Sequence, residues 1–213
     1  MTAHYKISFV LPIVLLNASL AQVPLRSQKL QLTQEPNGAQ LTVRIYTSRG
    51  IPSWLLQGAS TEAARAFKPT KVQINWVDCT SAAPGPACEG DSNRLLTVRI
   101  LPKALPQASK YALGAAIWSG DSATAFIFYD RVLGLGTHTM LVQTILGRVL
   151  AHEIAHLLLP HGGHSKLGIM RGAWSTDDLQ VDAPPFLGLS TNSVRLMKAE
   201  DSRLSGAGPA ASR

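Results

Sequence analysis

The sequence is poor in charged and aromatic residues. Charged residues make up 15% of the 213 residues and aromatic residues 6%, whereas hydrophobic residues make up 46%. This balance excludes a disordered chain, because so large an apolar fraction can bury a hydrophobic core. No internal repeat is visible. The length suits one domain with short tails.

The sequence also lacks any run of charges of one sign. Lysine and arginine outnumber the acidic residues by 20 to 13, which gives a formal net charge of +7. The basic residues are scattered along the chain, as the stretch from Arg44 to Lys110 illustrates, whereas a nucleic-acid footprint needs them clustered on one face with aromatic residues between them. We therefore expect no nucleic-acid partner and interpret the charge as a basic surface. Attraction to an acidic surface or substrate stays open.

The N-terminus has the pattern of a secretory signal peptide. Lys6 precedes an apolar run at residues 7–16, and Ser19 and Ala21 are small residues at the positions that signal peptidase reads. The alternative is an uncleaved anchor, but the run is shorter than the roughly 20 residues of a membrane span and contains Pro12. We therefore expect cleavage after Ala21, secretion to an extracellular or periplasmic compartment, and no stable membrane insertion afterwards.

Only two cysteines are present, Cys79 and Cys88, and they bracket a short loop rich in proline and alanine. Two cysteines this close usually pair in an oxidising compartment, so we predict a disulfide. Two free thiols would fit a cytosolic protein, against which the signal peptide argues. A zinc site is disfavoured because no histidine or further cysteine lies nearby. The disulfide would be a local cross-link that raises the free energy of unfolding by about 2–3 kcal/mol.

The predicted elements are a strand, a helix, several strands and then helices. Alternating or β-branched runs predict strands at residues 41–46, 72–77, 95–101 and 123–129, with a weaker edge strand at 111–118. Helical spacing of apolar residues predicts a helix over 52–67, a long helix over 138–159 and a final helix over 192–204.

The long helix is apolar almost all round, which predicts a central, buried position. Its length is also compatible with a membrane span, but two histidines, a glutamate and an arginine inside it argue against one. We interpret His138 as a helix-start residue, because it lies too far along the helix from His152 to share a ligand. The predicted organisation is signal peptide, N-terminal tail, main domain and disordered tail, at residues 1–21, 22–40, 41–204 and 205–213.

The long helix carries the motif His152-Glu153-Ile154-Ala155-His156. Residues four apart on a helix lie about 6 Å apart along the axis and point the same way, so both imidazoles can reach one zinc ion at about 2.0–2.1 Å. Glu153 is placed to take a proton from a zinc-bound water, whose pKa falls to about 7. Two buried histidines beside a glutamate would be costly without such a partner. A catalytic zinc needs a third ligand, and His161 and His164 are the candidates.

The segment from His152 to Met170 resembles the metzincin zinc metallopeptidases, and within them the matrixin-like group. His164-Ser165 followed by Ile169-Met170 carries this likeness, which extends to predicted secreted bacterial members whose third histidine also falls eight residues after the second. The resemblance implies that His152, His156 and His164 bind Zn²⁺, with His161 as the alternative third ligand. It also implies that Glu153 is the general base and that Met170 forms a structural turn beneath the metal. Leu159 and Gly162 stand where the family has its glycine and third histidine.

The same resemblance implies an α/β, metzincin-like zincin domain: a twisted mixed sheet with a helix packed on it, a central zinc-binding helix and a C-terminal helix. The implied function is that of a secreted zinc endopeptidase with peptide or protein substrates, which pair with the edge strand at 111–118. We expect a monomer. The alternatives are a zinc-binding envelope or extracellular module without turnover, and an envelope interaction protein without metal.

Overall fold

The computed structural model describes the sheet, the main helices and the loop that follows the long helix. The described residues are 33–35, 38–48, 50–80, 85–89, 95–119, 122–159, 163–181, 188–190 and 192–195. The predicted signal peptide at 1–21, the predicted tail at 205–213 and His161 lie outside the described residues.

Six strands among the described residues form a mixed sheet, which is one layer of the fold. Its strands are β1 (Thr33–Glu35), β2 (Gly38–Thr47), β3 (Gln73–Asp78), β4 (Leu95–Leu101), β5 (Gly114–Ser119) and β6 (Ser122–Phe128). β2 pairs in parallel with both β3 and β4, and β4 pairs in parallel with β6. β1 runs antiparallel to the start of β2, and β5 runs antiparallel to β6. Within the described residues, β5 therefore forms one edge of the sheet.

Side chains alternate between the two faces of the sheet, as a period of two requires. One face is fully buried, and its residues on β2, β4 and β6 are Leu41, Val43, Ile45, Leu96, Val98, Ile100, Ala123, Ala125 and Ile127. The intervening residues on the other face are more accessible. The buried face supplies much of the hydrophobic core.

The helices are α1 (Ser53–Phe67), α2 (Tyr129–Leu135), α3 (Thr139–Leu158) and α4 (Thr176–Leu179). α3 packs against β5, β6 and α1, and it is buried along nearly its whole length. Its contact with α1 is close: a Cβ atom on Gly147 would lie 2.6 Å from the carbonyl oxygen of Ala59. His138 caps the start of α3, where its Nδ1 accepts a hydrogen bond from the Leu141 N–H at 3.3 Å. Among the described helices, none has both the length and the apolarity of a membrane span.

The predicted α/β class, mixed sheet and central helix are confirmed. Three predicted boundaries shift by more than a residue or matter for the site. The edge strand predicted at 111–118 begins only at Gly114 and ends at Ser119. β2 begins at Gly38 and pairs with β1, so the sheet extends into the segment predicted as a tail, next to the Pro36-Asn37-Gly38 turn signal. Tyr129 begins α2 and does not continue the strand before it. Of the predicted C-terminal helix, residues 192–195 are helical and the rest lies outside the described part of the chain.

The predicted disulfide is present between Cys79, which directly follows β3, and Cys88. Their Cα atoms lie 5.6 Å apart. Arg44 on β2 holds the same loop, because its Nε and Nη2 donate to the carbonyl oxygens of Ala87 and Glu89 at 2.8 and 3.0 Å. A disulfide of this kind is typical of proteins from oxidising compartments.

Candidate metal centre

Two histidines come together on the buried side of α3. His152 is fully buried and His156 nearly so, and their Nε2 atoms lie 2.9 Å apart. The two rings are almost perpendicular, with centroids 4.6 Å apart. This is the arrangement that the four-residue spacing on one helix predicts.

The other ring nitrogen of His152 is fixed by the backbone. Its Nδ1 lies 2.7 Å from the carbonyl oxygen of Ile169, which can only accept, so Nδ1 carries the proton and donates. The lone pair of a neutral ring is then on Nε2, which faces His156. Burial and the neighbouring His156 hold the pKa of His152 well below its usual range, although the hydrogen bond to Ile169 opposes that shift. His152 is therefore neutral, as metal binding requires.

His164 reaches the same point from the loop after α3. Its ring centroid lies 4.9 Å from that of His156 and 5.3 Å from that of His152. His164 is exposed on its outer side, and the partial burial of its ring lowers its pKa. The loop closes directly after it, where the Ser165 N–H donates to the Met170 carbonyl at 2.8 Å. Gly168 permits this turn through a positive φ of 74°.

The three histidines fit a zinc ion. One nitrogen from each of His152, His156 and His164 can be chosen so that all three lie within 4.8 Å of one another. Two nitrogens that each lie 2.0–2.1 Å from a tetrahedral ion are about 3.4 Å apart. This separation falls between the 4.8 Å limit and the 2.9 Å that separates the Nε2 atoms of His152 and His156. Three imidazole ligands, with a water as the fourth ligand, are typical of catalytic zinc sites.

Glu153 is buried beside this cluster and points toward the edge strand. Its Oε1 has no hydrogen-bond partner among the described residues. Burial raises the pKa of Glu153 well above its usual range. A buried carboxyl oxygen without a partner is costly in a purely structural position.

Further residues that surround the histidines contribute packing. Met170, predicted as the structural methionine, is buried directly after Ile169, the residue whose carbonyl holds His152. The fully buried Trp174 meets His152 edge to face, with ring centroids 5.5 Å apart. Sequence reasoning missed Trp174 and the Ile169 carbonyl. A tryptophan close after the motif was the available sequence signal for the former, and no side-chain pattern encodes the latter.

Two cavities lie between α1 and β3. Their volumes are about 560 and 440 Å³, and they share the lining residues Thr61, Ala64 and Ile74. No histidine lines either cavity, and neither holds a cluster of groups that could bind a metal. The histidine cluster is therefore the stronger candidate site within the described part of the chain.

Comparisons with known proteins give only weak likenesses. No protein-family model matches the sequence, and no curated protein matches it significantly. Archaemetzincin from Methanopyrus kandleri aligns with 83% of this chain and 98% of its own, at 14% identity and a TM-score of 0.49. Metalloproteinase-II from Bacteroides fragilis aligns with 83% of this chain and 57% of its own, at 12% identity and a TM-score of 0.46. With scores this low, neither likeness assigns a function to this chain.

The identity of the third ligand gives a direct prediction. We expect His164→Ala to weaken zinc binding by more than about 100-fold, because removing a ligand costs more than removing a group that only orients one. We expect His161→Ala to leave zinc binding unchanged. Zinc per chain after dialysis against a weak competing chelator measures both. Loss of zinc from His161→Ala with retention in His164→Ala would reverse the assignment.

Proposed function

We propose that this chain is a secreted zinc-dependent endopeptidase of the matrixin-like metzincin type. One observation carries the proposal: three histidines converge at α3 and the loop after it, and the neighbouring Glu153 is buried with no partner for its Oε1 among the described residues. Such a set combines a site for a metal with a group that can move a proton.

His152, His156 and His164 would hold the zinc, and the hydrogen bond from His152 Nδ1 to the Ile169 carbonyl would keep the first ring in its binding orientation. Zinc bound there supplies Lewis acidity, which polarises a peptide carbonyl and lowers the pKa of a water to about 7. Glu153 takes a proton from the attacking water on a carboxyl oxygen and then donates it to the nitrogen of the leaving amine.

The edge strand offers a backbone for the substrate. The Phe128 N–H donates to the Leu113 carbonyl at 2.8 Å, so residues 113 and 128 form a hydrogen-bonded pair. Pairs alternate in an antiparallel ladder, so Gly114, Ala116 and Trp118 direct their N–H and C=O groups away from β6. An extended peptide can add to this edge as a further strand, as predicted for residues 111–118. An edge of this kind binds the middle of a peptide, which supports endopeptidase action.

The disulfide between Cys79 and Cys88 supports secretion to an oxidising compartment, either extracellular or periplasmic. We propose that the partners are peptide or protein substrates, that nucleic acid is not among them, and that the chain acts as a monomer. The predicted cleavage after Ala21 belongs to the same proposal and can be checked by N-terminal sequencing of the exported protein.

The function is tested by incubating the zinc-loaded protein with a complex peptide library and identifying the products by mass spectrometry. We expect cuts inside peptides, away from both ends. A zinc chelator is expected to stop the cleavage, and added zinc is expected to restore it. If the loaded protein cuts no member of the library, a zinc-binding module without turnover becomes the better account.

A further inference from the structure

We propose that Gly114 is a positioning residue for Glu153, an inference that rests on the proposed peptidase function. A Cβ atom on Gly114 would lie 2.7 Å from Glu153 Cγ and 2.8 Å from its Oε1. Carbon atoms do not approach this closely without displacement, because the optimal separation of two carbons is about 3.5–4.0 Å. The carboxylate therefore occupies the space that a side chain on Gly114 would need.

The backbone of β5 that contacts Glu153 is closely packed on its other side. Gly114 is buried and pairs with Ile127 on β6, while α3 packs against both strands. A Cβ atom at this position would also lie 2.7 Å from the carbonyl oxygen of Phe126, which belongs to the backbone of β6. The strand cannot withdraw toward β6 to admit a side chain. Any larger residue must therefore push Glu153 away, move β5 outward, or do both.

Gly114 also lies on the strand to which a substrate would add. Its own backbone is buried, whereas Ala116 and Trp118, whose N–H and C=O groups likewise point away from β6, are more accessible to a peptide. Gly114 thus leaves room for the Glu153 side chain behind this strand. The close approach of Gly114 and Glu153 sets the position of the base relative to a peptide bound along β5.

Steady-state kinetics of Gly114→Ala test this role in the zinc-loaded protein. We expect kcat to fall about 100-fold, since a displacement of roughly 1 Å costs that much in a preorganised site, with zinc content unchanged and KM altered less than kcat. Gly134→Ala is the matched control, because a Cβ atom there meets nothing within 4 Å. A Gly114→Ala protein with zinc bound and a kcat within twofold of the wild type would overturn the inference.

A second measurement needs no turnover. In metal-free protein, we expect Gly114→Ala to lower the thermal midpoint by about 4 °C, as overpacking does in a chain of this size. In a Glu153→Ala background the same substitution should lower the midpoint by less than half as much, because the displaced side chain is gone. An equal decrease in both backgrounds would place the conflict in the strand alone and overturn the inference.

The two measurements separate the two proposals. If the wild-type protein cleaves nothing, the peptidase proposal fails, while the thermal comparison still reports whether Glu153 fills the space at Gly114. If Gly114→Ala does not fold, the inference predicts that the double variant with Glu153→Ala regains a cooperative unfolding transition. Failure of the double variant to fold would contradict it.

Discussion

The Glu153→Ala substitution is expected to lower kcat about 1000-fold, within the range for loss of a general acid–base, while leaving zinc bound. Glu153 lies next to His152 in the chain, and its side chain packs against Gly114 on β5. Its removal therefore takes away the proton carrier without removing a metal ligand. The substitution to alanine also removes a buried carboxyl oxygen that has no partner among the described residues. Since such an oxygen destabilises the folded state, we expect the variant to stay folded.

The measurement is kcat with a peptide from the library, together with zinc per chain by elemental analysis. Glu153→Gln keeps the shape but cannot take up a proton, so it should match the alanine variant. Asp130→Asn removes an exposed carboxylate on α2 and serves as the control, with activity expected to stay at the wild-type level. A Glu153→Gln protein that retains a tenth of wild-type kcat would exclude Glu153 as the base.

The His152→Ala substitution is expected to abolish zinc binding and, with it, both activity and much of the thermal stability. His152 is fully buried, and its ring contacts His156, His164 and Trp174. A ligand at 1000 times its Kd stabilises the folded state by about 4 kcal/mol. For a domain of this size that corresponds to a fall in thermal midpoint of roughly 8–16 °C when zinc binding is lost.

Measuring the thermal midpoint with and without excess zinc distinguishes the stability that bound metal contributes from the stability that packing of the His152 ring contributes. The wild-type midpoint should rise with zinc, whereas that of His152→Ala should not respond to it. His138→Ala is the control, because His138 caps α3 at an exposed position; it should melt slightly lower but respond to zinc as the wild type does. A wild-type midpoint that is indifferent to zinc would mean that the histidines bind no ion.

The parts of the site that one helix determines were predictable from the sequence. The spacing of His152 and His156 and the capping position of His138 depend on local geometry, and the structure has them as expected. The strands of the central sheet were predictable for a similar reason, since β-branched residues and alternation are local signals. The pairing of Cys79 with Cys88 follows from their proximity in the chain.

What could not be predicted depends on contacts between distant parts of the chain. Glycine at position 114 marked an edge strand, but its contact with Glu153 arises only when β5 and α3 pack together. The aromatic run that ends at Tyr129 predicts a strand up to that residue. In the structure, Tyr129 instead begins α2, which connects β6 to α3. His164 lies close to His152 and His156 because the loop after α3 turns back toward that helix. Gly168 and the β-bridge between Ser165 and Arg171 determine the shape of this loop.

The hydrogen bond that orients His152 has a consequence for sequence variation at this site. Its acceptor is the main-chain carbonyl of Ile169, and the Ile169 N–H itself donates to the Gly188 carbonyl at 3.1 Å. Every amino acid supplies that carbonyl, so a mutation of residue 169 cannot delete the acceptor. Relatives of this chain can therefore exchange the side chain at 169 for others of similar volume and still keep the proton of His152 on the same nitrogen.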